Sequence, residues 1–429
     1  MATASILSIG DELLIGDTVN TNASEIGARL NESGISVRSV LTLPDEEDAI
    51  LEALDAGLAR FDLVVTTGGL GPTHDDVTLR TICKLFGSEL VLDENVLQAI
   101  EKVFAERSLP MTPANRDQAL VPEGARVLFN HHGTAPGLWM ERGGAVLVVL
   151  PGVPHEMRHL LRDAVLPSLK ERYPSARAAH TRYLRTAGEA ESVLDGAFIG
   201  DLSEHFEQGC TLAYLPGPGR VTLRLSCRDL DPRASMEKVG ALERVLMERA
   251  GFCVYGEGRD TSLEQVLGSV LRERNLRICT AESCTGGALA STLTDVPGSS
   301  DYVLGGFVTY SNALKTALLG VDPTLLETHG AVSRQVARAM AEGAATASGA
   351  DVAVSLTGVA GPGGGTPEKP VGLVWLGVKT PDRAFTLKLT LTRDRLVNKR
   401  RSVMIAMETV RRTLLGIDRM PYGLLPDPE

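Results

Sequence analysis

Residues 280–287, Thr280-Ala-Glu-Ser-Cys-Thr-Gly-Gly287, set a serine hydroxyl among small residues, between a mostly apolar run at 276–279 and a helical-looking run at 288–293. That order predicts a strand-to-helix turn. At such a turn small residues let the backbone come close to a ligand, and the free N–H groups of the following helix can hold an anion or oxyanion. Ser283 would then stand at the mouth of an electrophile site. The same residue types also make an ordinary helix cap, and the motif alone does not choose between the two.

A serine hydroxyl attacks only when a neighbour takes its proton, and where histidine is absent a lysine desolvated enough to stay neutral can serve. His329 is the only histidine after residue 205, and Glu327-Thr-His-Gly330 reads as a helix end. This favours a Ser/Lys pair over a Ser-His-Asp triad. The lysine in view is Lys315, in Gly305-Gly306-Phe-Val-Thr309-Tyr310-Ser311-Asn312-Ala-Leu-Lys315. Tyr310 and Lys315 flank an expected strand-to-helix boundary capped by Asn312, a placement suited to proton handling and equally open to a solvated lysine at a helix start. A strand expected at 352–356 runs into Thr357-Gly358-Val-Ala-Gly361-Pro-Gly363-Gly364-Gly365. So many glycines read as backbone wrapped round an anionic group, or as a mobile surface loop. Arg393 and Arg395 sit in a basic cluster, completed by Lys399, Arg400 and Arg401, that opens the final helix; one of them can reach a phosphate while the others stay solvated.

The N-terminal third offers a different chemistry. Gly10-Asp11-Glu12-Leu-Leu-Ile-Gly16 is followed by Asn20-Thr21-Asn22, and Thr66-Thr67-Gly68-Gly69-Leu70-Gly71-Pro72-Thr73-His74-Asp75-Asp76 follows an apolar run. Gly68, Gly69 and Gly71 allow close approach to phosphates, and the carboxylates beyond them suit a hard divalent cation bridging to those phosphates. Asp75 and Asp76 would also start a helix well. The pair His131–His132 reads as a hydrogen-bonded loop pair, because adjacent histidines point differently and no third nitrogen or thiolate ligand is in view. Pro151-Gly-Val-Pro154-His-Glu156-Met157 opens a helix with Glu156 in its first turn.

The elements that must carry these loops alternate. Strands are expected at 4–9, 36–43, 63–66 and 145–150, with helices at 24–32, 45–58 and 77–86, the pattern of an α/β unit whose ligands bind at the carboxyl ends of its strands. Residues 170–255 read differently, as strands at 181–186, 210–214 and 220–226 with helices at 189–198 and 232–249, and a hairpin turn at Leu215-Pro-Gly217-Pro-Gly219-Arg220. From Ser262 the α/β alternation resumes.

Composition bounds the rest. The 429 residues are 43% hydrophobic and 23% charged, too long for one core and consistent with two to four domains. No apolar run approaches the ~18 residues that span a bilayer, and Met-Ala-Thr-Ala-Ser-Ile-Leu lacks a signal's basic start, so a cytoplasmic location and no membrane partner are expected. The six cysteines show neither a C-x-x-C pair nor zinc spacing. A net charge of −11 and 4% aromatics disfavour a broad grip on nucleic acid.

Taken together, G-D-E-L-L-x-G, T-T-G-G-L-G-P-T-x-D-D, N-x-x-G-T-A-P-G and L-P-G-V-P-x-E-M resemble the molybdopterin-binding-like domain of the CinA family, the competence and damage inducible proteins. A-E-S-C-T-G-G, P-G-S-S, G-G-x-V-T-Y-S-N-x-x-K, G-A-V-S, T-G-V-A-G-P-G-G-G-T-x-E-K-P-V-G and R-x-x-N resemble that family's C-terminal nicotinamide mononucleotide (NMN) deamidase domain. The middle resembles its KH-like domain, although G-P-G-R sits between strands where an RNA-clamping loop would join two helices; a spacer or dimerisation element is expected. The resemblance implies an α/β multidomain protein with domains at 1–168, 169–256 and 257–429. It implies NMN hydrolysis to the acid and ammonia, with Ser283 as nucleophile, Lys315 as base and Tyr310 as helper. Thr285, Gly286 and Gly287 would supply oxyanion or phosphate donors, Gly361, Gly363, Gly364 and Arg395 would contact substrate, and Cys284 would pack. For the N-terminal domain it implies ADP-ribose pyrophosphatase activity with Mg, Mn or Co held by Asp75, Asp76, Asp11 and Glu12, and substrate contacts from Asn22, Gly68, Gly69 and Gly71. No cofactor is expected in the C-terminal domain, and a homodimer is expected. The rival readings are a non-catalytic interaction protein of competence or DNA repair, and an N-terminal domain that binds a molybdopterin-type ligand.

Overall fold

The computed structural model describes residues 2–70, 77–106, 110–174, 179–229 and 231–427. By contact the chain divides into two compact units, Met1–Ala179 and His180–Glu429.

In the first unit the alternation produces the expected sheet. Strands β1 (Thr3–Ile9), β2 (Ser36–Leu43), β3 (Leu63–Thr67), β4 (Leu90–Leu92), β5 (Leu120–Pro122), β6 (Arg126–Leu128), β7 (Gly137–Arg142) and β8 (Ala145–Leu150) follow in chain order. Six of them form one sheet in the order β2-β1-β3-β8-β7-β6, the first four parallel and the last two antiparallel additions. β3 and β8 are buried at every position, as parallel strands covered on both faces must be. Helix Thr21–Glu32 packs its buried Ile26 and Leu30 into one core and Glu47–Arg60 packs Ile50 and Leu54 into the other. The chain leaves β8 into helix Pro154–Leu160, which widens into a π-turn at Leu161–Val165 before Leu166–Arg172. Pro167 explains the widening: its ring would strike the carbonyl of residue 163 in a regular helix.

The second unit holds two sheets. Strands β9 (His180–Ala187), β10 (Cys210–Gly217), β11 (Arg220–Cys227) and β12 (Val254–Glu257) pair antiparallel in the order β10-β11-β9-β12, backed by helix Pro232–Ala250. The segment expected as a helix at 189–198 is a single turn, Glu191–Val193, running into a π-turn, Leu194–Ile199. Strands β13 (Ile278–Glu282), β14 (Val303–Val308), β15 (Val352–Gly358), β16 (Leu373–Lys379) and β17 (Ala384–Thr390) form the second sheet, β14-β13-β15-β16-β17, with only β14, β13 and β15 parallel. The final helix, Arg395–Leu415, buries Arg412 completely. Arg412 donates to Glu408, to Ala187 O and to Arg419 O. One guanidinium thus ties the first sheet of this unit to the last helix. The G-P-G-R turn at Pro218–Gly219 is packed on that helix as well, a Cβ at Gly219 falling 2.9 Å from Met404 Cβ. Among the described residues no helix is long and apolar enough to cross a membrane.

Candidate active site

Ser283 follows directly on β13, at the carboxyl end of the parallel part of its sheet, where its N–H donates to Leu356 O on β15 (2.9 Å). Lys315 lies in the first turn of helix Asn312–Leu319, whose cap is the Ser311 side chain; Asn312 is the first helical residue, not the cap. The two side chains meet: Lys315 Nζ is 3.2 Å from Ser283 Oγ. Nζ is also 2.8 Å from Thr309 O and 3.4 Å from Tyr310 O. The lysine is completely buried, and burial pushes its pKa below the ordinary lysine range. A neutral amine has two N–H bonds and one lone pair. With the two carbonyls accepting the N–H bonds, the lone pair is left for the serine O–H.

Glu282 is the residue whose role the motif did not disclose. Its carboxylate, fully buried, accepts from the N–H groups of Gly287 (3.0 Å), Leu289 (3.1 Å) and Ala290 (2.8 Å), and from Thr280 Oγ1 (3.3 Å). It therefore caps helix Ala288–Thr294 from inside and occupies the helix N–H groups that the sequence assigned to an anion. Gly286 N–H is spent on Ser283 O (3.2 Å). Both glycines have positive φ, +65° and +91°, which lets the turn close over the carboxylate. The expected donor role of Gly286 and Gly287 is thus consumed internally; the Cys284 N–H turns to its own thiol, and the Thr285 N–H has no backbone acceptor among the described residues. Beside the Ser/Lys pair, Thr285 Oγ1 and Thr309 Oγ1 are buried without a partner among the described residues. Cys284 packs into the core, and burial pushes its thiol up to about 11.

Tyr310 is exposed, its hydroxyl 3.4 Å from Arg395 Nη2, while Arg395 Nη1 donates to Gly361 O (3.1 Å). Arg395 therefore spans from Tyr310 to the glycine loop. Asn398, one turn further on, is buried and fixes the loop's near end: Nδ2 donates to Ala360 O and Thr392 O, and Oδ1 accepts from Thr392 N. Gly361 is buried against Arg393 O and Val371, whereas Gly363 and Gly364 are exposed. Lys399 Nζ lies 3.7 Å from where a Cβ of Gly286 would stand, adding a cation, expected to be solvated, beside the turn.

In the first unit a cavity of about 470 Å³ opens at the carboxyl ends of β1, β3 and β8, lined by Gly10, Glu12, Asn22, Thr67, Gly68 and Gly69 among others. Asn22 is buried there, donating to Thr67 Oγ1 (2.9 Å) and Gly152 O (2.8 Å), while its Oδ1 has no partner among the described residues. At Gly68, with φ +104°, a Cβ would stand 2.1 Å from Ile9 O, so the two strand ends touch only because it is glycine. Asp11 Oδ1 accepts from Asp45 N, and Asp45 Oδ2 from Asp11 N. Gly71, Asp75 and Asp76 lie outside the described residues. Asp11 and Glu12 do not converge with a third ligand among the described residues. The described residues thus do not complete the expected metal site. His132, expected without further nitrogen ligands, meets His155 and His159.

Three family models match the chain: the CinA C-terminal domain over residues 260–414, a probable molybdopterin binding domain over 5–171, and the damage-inducible protein CinA KH domain over 181–256. A CinA-like protein of Chloroherpeton thalassium is 43% identical over 419 residues, 96% of this chain and 99% of its own. A putative competence-damage inducible protein of Moorella thermoacetica is 44% identical over 375 residues, 87% of this chain and 90% of its own. The crystal structure of the protein CinA with unknown function from Thermoplasma acidophilum is 40% identical, covering 40% of this chain and 98% of that chain with a TM-score of 0.36.

Proposed function

The chain belongs to the CinA family, and on that premise we propose that its C-terminal domain hydrolyses the carboxamide of NMN, releasing ammonia. The observation that carries this reading is the buried contact between Lys315 Nζ and Ser283 Oγ. Lys315 takes the serine proton as Oγ attacks the amide carbon, the Thr285 N–H is the turn's remaining backbone donor for the charge that develops on the carbonyl oxygen, and the lysine returns the proton to the departing nitrogen as ammonia leaves. Water then repeats the sequence on the acyl-serine, and the acid departs. Arg395 and Lys399 supply positive charge for the substrate phosphate, and Tyr310 closes the same side of the cleft. Ammonia release from NMN by the wild type and by Ser283→Ala tests the reading; equal rates would refute it.

For the N-terminal domain we propose ADP-ribose hydrolysis to AMP and ribose phosphate in the cavity at the ends of β1, β3 and β8. Support comes from the Asn22 oxygen, without a partner among the described residues, and the glycine-lined wall, which suit a sugar hydroxyl and a diphosphate. Incubation with ADP-ribose and divalent cations should release AMP; its absence would leave a pterin-type ligand as the alternative occupant.

A further inference from the structure

Four of the chain's eight histidines lie in two short segments of the first unit, 131–132 and 155–159. His155 and His159 are four residues apart in helix Pro154–Leu160 and so share one face. The loop after β6 brings His132 against that face. His132 and His159 stack with ring centroids 3.5 Å apart, and His155 stands edge-on to both, at 5.6 and 4.6 Å. One nitrogen from each ring lies within 4.8 Å of the other two.

The loop is held in this position by contacts that do not involve the rings. Asn130 Nδ2 donates to Glu156 Oε2 (2.6 Å) and to Ala135 O (2.9 Å), and Asn130 Oδ1 accepts from His132 N (2.9 Å). Gly133 packs so closely on Glu156 that a Cβ would stand 1.9 Å from its carboxyl carbon. One asparagine and one glutamate thus fix the spacing between the third imidazole and the helical pair.

We propose that His132, His155 and His159 bind a divalent cation of the Zn2+, Co2+ and Ni2+ class. All-imidazole ligation selects these ions over Mg2+ or Ca2+, which take oxygen ligands. Nitrogen–metal bonds of about 2.0–2.1 Å place tetrahedral ligands roughly 3.3 Å apart, so side-chain rotation that opens the His132–His159 stack brings the three nitrogens into range. Arg162 Nη2 is 2.8 Å from His159 Nδ1, while the same guanidinium holds both carboxylate oxygens of Asp163 (2.6 and 2.8 Å). The ion therefore enters on Nε2 of His159 as Arg162 turns away, and Nδ1–H passes to Asp163 Oδ2, 3.8 Å distant. Residues 155–159 spell His-Glu-Met-Arg-His, the spacing in which a peptidase uses the glutamate as general base. Here Glu156 is committed to Asn130 and Gly133, so the site binds an ion without that peptidase chemistry. The ion clamps the 130–137 loop to the helix that follows β8.

The test is titration of the chelator-stripped full-length protein with Zn2+ and, by visible absorption, with Co2+, alongside Mg2+ as the oxygen-preferring comparison. One Zn2+ per chain is expected, with a tetrahedral Co2+ spectrum and a zinc-dependent rise in Tm. His132→Ala and His155→Ala should each weaken binding more than about tenfold, while the neighbouring His131→Ala should not. Arg162→Gln should bind at least as tightly as wild type. His155→Gln is made alongside the alanine variants, and metal-free melting of each variant confirms folding. Absence of stoichiometric Zn2+ binding, binding that survives loss of His155, or equal losses in His131→Ala and His132→Ala would overturn the proposal.

Discussion

Lys315 Nζ and Ser283 Oγ lie 3.2 Å apart, with the lysine wholly enclosed, although 32 residues separate them in the chain. The contact is built by two strand ends and one helix start, and the activity proposed for this domain depends on it.

Ser283→Ala and Lys315→Met should each lower ammonia release from NMN by about 10³-fold or more, and the double variant should lose little beyond either one, because the two side chains act as a unit. Lys315→Arg should not restore activity, since a guanidinium does not give up its proton. Additive losses in the double variant would argue against a shared proton.

The kcat/KM for NMN should rise with pH through the Lys315 pKa and level off above it, with a midpoint below the ordinary lysine range because burial lowers that pKa. The stability sign follows from the same shift. Between the lowered folded value and the ordinary unfolded one, the unfolded chain binds more protons, so stability rises with pH across that window and this contribution is flat below it. Lys315→Met should lack this slope; urea unfolding across the alkaline range reads it out.

Glu282→Ala would leave three N–H groups at the helix start, that of Leu289 buried and those of Gly287 and Ala290 half-buried, and Thr280 Oγ1 without their acceptor. A loss of about 3 kcal/mol or more in unfolding free energy is expected, with Glu282→Gln intermediate. An alanine variant within about 1 kcal/mol of wild type would mean that the turn recaps itself without the carboxylate.

Arg412→Met removes the fully buried partner of Glu408 and a donor to Ala187 O. The expected cost is about 3–5 kcal/mol, the penalty for disrupting a buried charge pair. Arg411 still contacts Glu408 (2.7 Å), so Arg411→Met combined with Arg412→Met should show strong non-additivity in chemical denaturation.

Cys284 adjoins the proposed nucleophile, yet its thiol is buried and pushed up to about 11. Cys284→Ala should keep NMN turnover within about tenfold of wild type, and iodoacetamide at neutral pH should leave the protein active. Rapid inactivation prevented by Cys284→Ala would transfer the nucleophile's role to sulfur.

Much of the fold was legible because its cues are local. β2 lies at Ser36–Leu43 and β8 at Ala145–Leu150, where runs of apolar residues bounded by polar turns predicted them, and helices began or ended within about three residues of expectation. The misses also have local causes. Ser311 outcompetes Asn312 for the cap because its extended backbone aims the hydroxyl at Leu314 N. The 189–198 segment becomes a wide turn that its hydrophobic pattern does not distinguish from an α-helix.

The sequence by itself determined the residue types at the strand ends, the presence of a single histidine after residue 205 and the family to which the motifs point. Tertiary structure alone decided that Lys315 is buried, that Glu282 consumes the helix N–H groups expected to serve a ligand, and that His132 joins two histidines more than twenty residues away. Periodicity and turn chemistry act over a few residues, whereas burial and hydrogen-bond partnership are set by whatever distant segment the fold brings alongside.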